Sequence, residues 1–385
     1  MSVLAFFLGL LLILITLLDG FETILLPRRI NRRFRYSRMY YRTGWLLWRR
    51  AASLIPTGRW RESALGIFGP LSMLGLFASW IVSLILGFAL LHYSLSTHFL
   101  NTIHSPAFPA DFTSCLYFSG TTFFTLGLGD LAPLNPFARL LTVLETGLGF
   151  GFLAITIGYL PVLYQAFSRR EVTISLLDAR AGSPPAAGEF LARLARTGQI
   201  IDPNPTLLEW EHWAAELLES NISFPVLAYY RSQHANQSWL AALTTMLDSS
   251  ALLLTLLPPR DTYQAQLTFA MARHAAVDIA LIFSVHPRSS SHPRLISDDI
   301  TRLRQQLRDA GSQPIDSPEA SRRLAELHGL YEPFLEALAV HFLLKLPPLL
   351  HPDNSADNWQ RSAWMPRTPG IGNLPITNPD SSHFD

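Results

Sequence analysis

Three apolar runs, each long enough to cross a bilayer, constrain this 385-residue chain more than any other feature. Residues 3–26 are apolar apart from Thr16, Asp19, Glu22 and Thr23. As a helix rising about 1.5 Å per residue, that run spans roughly 36 Å, against a hydrocarbon core of about 30 Å. A second run covers 65–91, and a third covers 137–167 with Arg139 and Glu145 inside it. The composition agrees: 49% of residues are hydrophobic, 15% are charged, and the mean hydropathy is +0.22. A cleaved signal peptide would carry positive charge ahead of its apolar core, whereas here the charge follows the core, so the first run reads as a retained membrane helix.

The charges are unevenly placed. Residues 28–62 hold eleven Arg and one acid, Glu62, leaving 19 basic against 28 acidic residues elsewhere. Nothing outside the band favours nucleic acid. By the positive-inside rule the band and Arg169–Arg170 are cytoplasmic. The N-terminus is then outside, residues 92–136 form an outer re-entrant region, and everything after Arg170 is cytoplasmic, making the chain a multi-pass cell-membrane protein. Arg29, Arg32, Arg35 and Arg38 recur every third residue as in voltage-sensor helices, but Asn31, Arg33 and Ser37 lie between them and the stretch is not an apolar span. An amphipathic helix on the inner leaflet fits better, with Phe34, Tyr36, Tyr40, Tyr41, Trp45 and Trp48 at headgroup level and the arginines of 28–61 on anionic lipid. Asp19 and Glu22, one turn apart near the inner end of the first run, either pair with those arginines or sit in headgroup water.

Between the second and third runs, the apolar segment 112–124 is half the length of a span, and Pro109-Ala110-Asp111 offers it a helix start. It can enter a membrane but not cross. Thr125-Leu126-Gly127-Leu128-Gly129-Asp130 follows, alternating glycine with apolar residues after a Thr. Such a strand can turn successive backbone carbonyls toward one axis and so hold a dehydrated cation, while the preceding half-helix points its partly negative end at the same place.

Here the chain resembles the tetrameric potassium-channel family, whose signature reads Thr-Thr-x-Thr-Thr-Val-Gly-Tyr-Gly-Asp. This chain reads Thr121-Thr122-Phe123-Phe124-Thr125-Leu126-Gly127-Leu128-Gly129-Asp130. Thr121, Thr122, Thr125, Gly127, Gly129 and Asp130 match; Phe124, Leu126 and Leu128 depart. The resemblance covers about 63–170 and implies a filter of Thr125, Leu126, Gly127, Leu128 and Gly129, supported by Thr121, Thr122, Asp130 and Glu145. Leu128 replaces a ring that braces the filter in the family. The resemblance also places a gating hinge at Gly149, although a glycine there serves helix packing equally well. Glu145 is expected either in a hydrogen bond behind the pore helix or facing the cavity. One pore loop cannot close a ring of carbonyls, so four copies must assemble, and a homotetramer is expected.

After Arg170 the pattern becomes amphipathic helices broken by Pro and Gly. Gly182, Pro184, Pro185 and Gly188 mark a linker near 179–188, and Thr206 with Glu209 reads as a capping box opening a helix to about Glu219. Further helices are expected over 222–233, 236–256, 262–285, 297–310 and 318–345. The residues from 352 onward have a disordered composition. No glycine-rich dinucleotide fingerprint stands here. Arg231, His234, Gln237, Asp248, Arg273, His274 and Asp278 form a polar set that is either a site for an unidentified ligand or mutual satisfaction between helices.

The expected fold is an all-α membrane protein: a first transmembrane helix (1–27), a basic interfacial segment (28–62), a pore domain (63–170), a helical cytoplasmic domain (171–350) and a tail (351–385). The expected function is a potassium-selective channel subunit. A nonselective cation channel and a non-conducting membrane-anchored scaffold are the alternatives. No catalytic set, cofactor site or metal site beyond conducted potassium is read, and an enzyme is not expected. The lone Cys115 excludes an intrachain disulfide.

Overall fold

The computed structural model describes residues 2–26, 35–95, 98–101, 105–109, 111–195, 202–232, 237–258, 262–289, 294–295, 297–309 and 311–351. Arg28, Arg29, Asn31, Arg32, Arg33, Phe34 and His234, and the tail from 352, lie outside them. The described chain falls into two units that divide between Gln165 and Ala166.

The first unit opens with α1 (Ser2–Gly20), which loosens into one π-helical turn, Phe21–Leu25. It packs along α3 (Arg59–Ser94), the second span. Gly9 and Gly87 permit the close approach: a Cβ on Gly9 would stand 2.6 Å from the Gly87 carbonyl oxygen. Small residues at a membrane-helix crossing let the backbones touch where bulkier ones would hold them apart. The basic segment does form the expected amphipathic helix, α2 (Tyr36–Ser53). Two of its aromatic residues pack on protein. Trp45 is buried against Phe68 of α3, with ring centres 5.0 Å apart, and the Trp48 indole N–H donates to the Ala64 carbonyl at 3.0 Å. Covering apolar surface on α3 while the Trp48 N–H finds an acceptor suits the amphipathic indole. Met39, Leu46, Leu47, Arg38, Arg42 and Arg50 remain on the exposed face.

Among the described residues Asp19 meets Ser37 and Trp80, while Arg28, Arg29, Arg32 and Arg33 lie outside them. Its carboxylate accepts the Ser37 N–H at 3.1 and 3.2 Å, the Ser37 hydroxyl at 3.0 Å and the Trp80 indole N–H at 3.0 Å. It therefore satisfies an orphan N–H in the first turn of α2 and suits the positive end of that helix. Glu22 does meet an arginine, Arg35, at 3.6 Å.

The pore helix α4 (Phe112–Phe123) starts on Asp111, whose side chain accepts the Ser114 N–H at 2.8 Å. Three short strands, β1 (His98–Asn101), β2 (Ser105–Pro109) and β3 (Leu131–Pro133), add to the all-α expectation. They form an antiparallel sheet in the order β2-β1-β3. Strands of three to five residues carry too little periodicity to stand out in a sequence. The third span is α5 (Pro136–Ala181), a continuous helix supplying residues to both units.

The second unit wraps helices around α8 (Trp239–Leu256), 94% of which is buried. α8 is long and apolar enough to cross a membrane, one of four such helices among the described residues, yet here it is a protein core. Around it stand α6 (Ala187–Ala195), α7 (Asn204–Ser223), α9 (Tyr263–Ile282), α10 (Ser297–Asp309), α11 (Pro318–Gly329) and α12 (Glu332–Phe342). Some boundaries differ from expectation. Helix α7 begins at Asn204, so Thr206 lies inside it and caps nothing. The segment 222–233 yields only a 3-10 turn, Pro225–Tyr229. The stretch 318–345 is two helices, because Pro333 cannot donate the bond that would continue α11. Residues 182–188 are packed: the Gly188 N–H bonds the Leu349 carbonyl at 3.0 Å, and Ala186 and Ala187 are buried.

Candidate functional site

The filter grows out of the way α4 ends. The Leu126 N–H bonds the Thr121 carbonyl at 2.8 Å, and the Thr125 N–H bonds the Thr122 carbonyl at 3.0 Å. This nested pair is the Schellman arrangement, which closes a helix on a left-handed residue and usually places glycine there. Thr125 occupies that position with φ +57°. A left-handed L-residue costs about 1–2 kcal/mol. Gly127 at φ +54° and Gly129 at φ +73° follow. Every second residue from 125 to 129 is therefore left-handed. In an ordinary extended strand neighbouring carbonyls face opposite sides; alternating the hand of the backbone turns the intervening peptide planes so that they can share one. A run of carbonyl oxygens on one side is what dehydrated-cation coordination requires.

Leu126 and Leu128 are 61% and 62% exposed in the single chain, and a Cβ on Gly127 or Gly129 would meet nothing within 4 Å. Thr121 turns its hydroxyl back to the Phe118 carbonyl at 2.9 Å, and Thr122 is buried. Asp130 accepts the Tyr117 hydroxyl at 2.9 Å, tying the C-terminal end of the candidate filter to α4. Immediately beyond it, β3 pairs with β1. The loop is thus held at its N-terminal end by the helix cap and at its C-terminal end by one side-chain bond and a strand pairing. Tyr117 was not among the residues singled out from sequence. Its place one residue short of four helical turns before Asp130 carries no motif of its own.

Glu145 lies behind the pore helix rather than in a cavity. It is fully buried, takes a short hydrogen bond with the Ser119 hydroxyl of α4, and stands 3.5 Å from Nε2 of His92 on α3. Sequence reasoning missed His92 and Ser119; a lone His at the end of an apolar run was the available signal. Gly149 meets the end of α4: a Cβ there would lie 2.4 Å from the Phe123 carbonyl oxygen. That contact is with backbone, which supports the packing reading of this glycine, and α5 is helical straight through it.

The polar set of the second unit does not converge. Arg231 donates to the Phe342 and Leu343 carbonyls at 2.7 and 3.2 Å, Gln237 bonds Asp178, and His274 pairs with Asp278 on the outside of α9 at 3.6 Å. Asp248 belongs to another cluster. Arg294 forks onto Asp248 at 2.9 and 3.2 Å and onto Glu332 at 2.8 and 2.7 Å, and donates to the Pro347 carbonyl at 2.9 Å. The Tyr331 hydroxyl adds a 2.6 Å bond to Asp248, and His328 lies 3.3 Å from Glu332. The two carboxylates outweigh burial and raise the Arg294 guanidinium above its ordinary range, while burial raises the Tyr331 phenol and lowers the His328 imidazole. All five guanidinium hydrogens have acceptors, so the arginine has no donor left over for a ligand. Among the described residues no group of three or more His, Cys, Asp or Glu is placed to hold a metal.

Residues 76–165 match the family model described as Ion channel, which covers most of α3, the sheet, the pore helix, the filter and the first part of α5. The chain is also 28% identical over 246 residues to the uncharacterized membrane protein YdjJ of Bacillus subtilis (strain 168), across 63% of this chain and 69% of that relative. No solved structure matches.

Proposed function

Starting from an ion-channel domain at residues 76–165 of a membrane protein, we propose that the chain is one subunit of a potassium-selective channel, four copies of which surround a common axis with Thr125, Leu126, Gly127, Leu128 and Gly129 as the filter. The observation that carries this reading is the alternation of left-handed residues at 125, 127 and 129. The Tyr117–Asp130 bond supports selectivity as well. It supplies a brace between filter and pore helix in a loop where Leu128 stands in place of an aromatic ring. Conduction is passive, down the electrochemical gradient.

In this reading α1, α3 and α5 cross the membrane, with the N-terminus outside and the second unit cytoplasmic. The exposed face of α2, carrying Met39, Leu46, Leu47 and three arginines, lies on anionic headgroups of the inner leaflet. The second unit assembles or gates the pore. Chemistry of an enzymatic kind has no place in this reading.

Cation flux into proteoliposomes tests it. Wild-type protein is expected to pass potassium and rubidium but not sodium, and Gly127→Asp to abolish flux, since an added side chain must adopt a left-handed backbone inside the filter. Equal passage of sodium would favour the nonselective channel, and no flux under varied pH, voltage and tension would favour the scaffold.

A further inference from the structure

Ser119 has one hydroxyl hydrogen and two oxygens within reach of it. One is the Ile85 carbonyl on α3 at 2.9 Å; the other is Oε1 of Glu145 on α5, closer still. An ionised Glu145 would take that hydrogen, leaving the Ser119 oxygen and the Ile85 carbonyl as two lone-pair faces at 2.9 Å with nothing between them. A protonated Glu145 removes the conflict: its O–H donates to Ser119 Oγ, and the Ser119 O–H donates on to Ile85.

His92 gives independent support. It is fully buried, and neither ring nitrogen has a hydrogen-bond partner among the described residues. Its Nε2 stands 3.5 Å from Glu145 Oε2, outside good hydrogen-bond range. The neighbour on its other side is the Phe118 ring, edge-on at 5.2 Å. Glu145 Oε2 likewise has no hydrogen-bond partner among the described residues, which suits a neutral carboxyl, because a buried charge demands hydrogen bonds that this oxygen does not make.

We propose that Glu145 is a neutral carboxylic acid and a positioning residue, pinning the pore helix to α3 through the chain Glu145 O–H to Ser119 O–H to the Ile85 carbonyl. Its effect on conduction rests on the pore reading above; the proton itself does not. Two measurements on purified full-length protein in lipid separate the two. Infrared spectra are expected to show a protonated-carboxyl C=O stretch that persists across the neutral pH range and disappears in Glu145→Gln. In flux and assembly assays Glu145→Gln is expected to match wild type, because an amide N–H replaces the lost O–H donor, whereas Ser119→Ala and Glu145→Ala lose flux or assembly. Absence of the band from wild type, or failure of Glu145→Gln to assemble, would overturn the proposal. A persistent band in a protein that passes no cation would leave the proton assignment standing and count against the channel instead.

Discussion

Helices α1 and α8 are both long and apolar enough to cross a membrane, yet 28% of the first and 94% of the second is buried within the protein. Hydrophobicity says only that a segment leaves water; it does not say whether lipid or protein receives it. The difference shows in how each treats its polar residues. In α8 the hydroxyls of Thr244, Ser250 and Thr255 bond the carbonyl four residues back, at 2.7, 2.8 and 2.7 Å, and Asp248 is answered by Arg294 and Tyr331. In α1, Asp19 gathers donors from two other helices and so fastens a largely exposed apolar helix to its neighbours. One unit holds its buried charge at the centre of a core; the other places an acceptor where three helices meet.

The largest effect that could break this comparison is at the core. Arg294→Ala leaves Asp248 and Glu332 buried without their cation, and losing one partner of a buried pair costs about 3–5 kcal/mol. Thermal unfolding in detergent should show the second unit melting well below wild type, and an unchanged midpoint would mean that the network is ornamental. Asp19→Ala comes next. It strips an acceptor from Ser37 and from Trp80, at about 1–3 kcal/mol for each buried donor left unanswered. Proteolysis should then cut first in α2, and α2 remaining protected would show that its aromatic face alone holds it to α3.

Gly149→Ala drives a methyl against the Phe123 carbonyl, where overpacking costs about 1–3 kcal/mol. Flux should fall with the midpoint of unfolding. A variant that conducts normally would show that α4 and α5 can separate slightly without disturbing the filter. The smallest effect concerns pH. Burial holds the His328 imidazole below its ordinary range, so between that lowered value and the ordinary one the unfolded chain binds more protons than the folded chain. Stability of the second unit is then full above the ordinary histidine range and declines as pH falls through it. In His328→Gln this part of the decline should vanish from the midpoint-against-pH curve; an unaltered curve would assign it to another group.

Much of the pore unit was legible in advance. The spans follow from run lengths, the amphipathic α2 from its arginines and aromatics, and the filter from a motif whose glycines stand where the backbone is left-handed. The buried position of Glu145 behind the pore helix was one of two open readings. What escaped notice has a common cause. Trp45, Trp48, Tyr117, Ser119 and His92 are joined to residues between 13 and 53 positions away, and no local pattern records such a pairing. In the second unit the helices were largely anticipated, but the polar set was not. Asp248 finds Arg294 and Tyr331, neither of which had been grouped with it, and His274 with Asp278 is a surface pair on one helix turn.

By itself the sequence determined that this protein has membrane-length helices, a half-length helix between two of them and a loop able to turn carbonyls to one side, because length, hydropathy and glycine spacing act within a few residues of one another. Only the tertiary structure decided that α8 is a core while α1 stays largely exposed, that Asp19 caps α2, and that Glu145 stands between Ser119 and His92. Those outcomes depend on which surfaces meet, and a buried polar atom takes whichever partner the packing brings within about 3 Å.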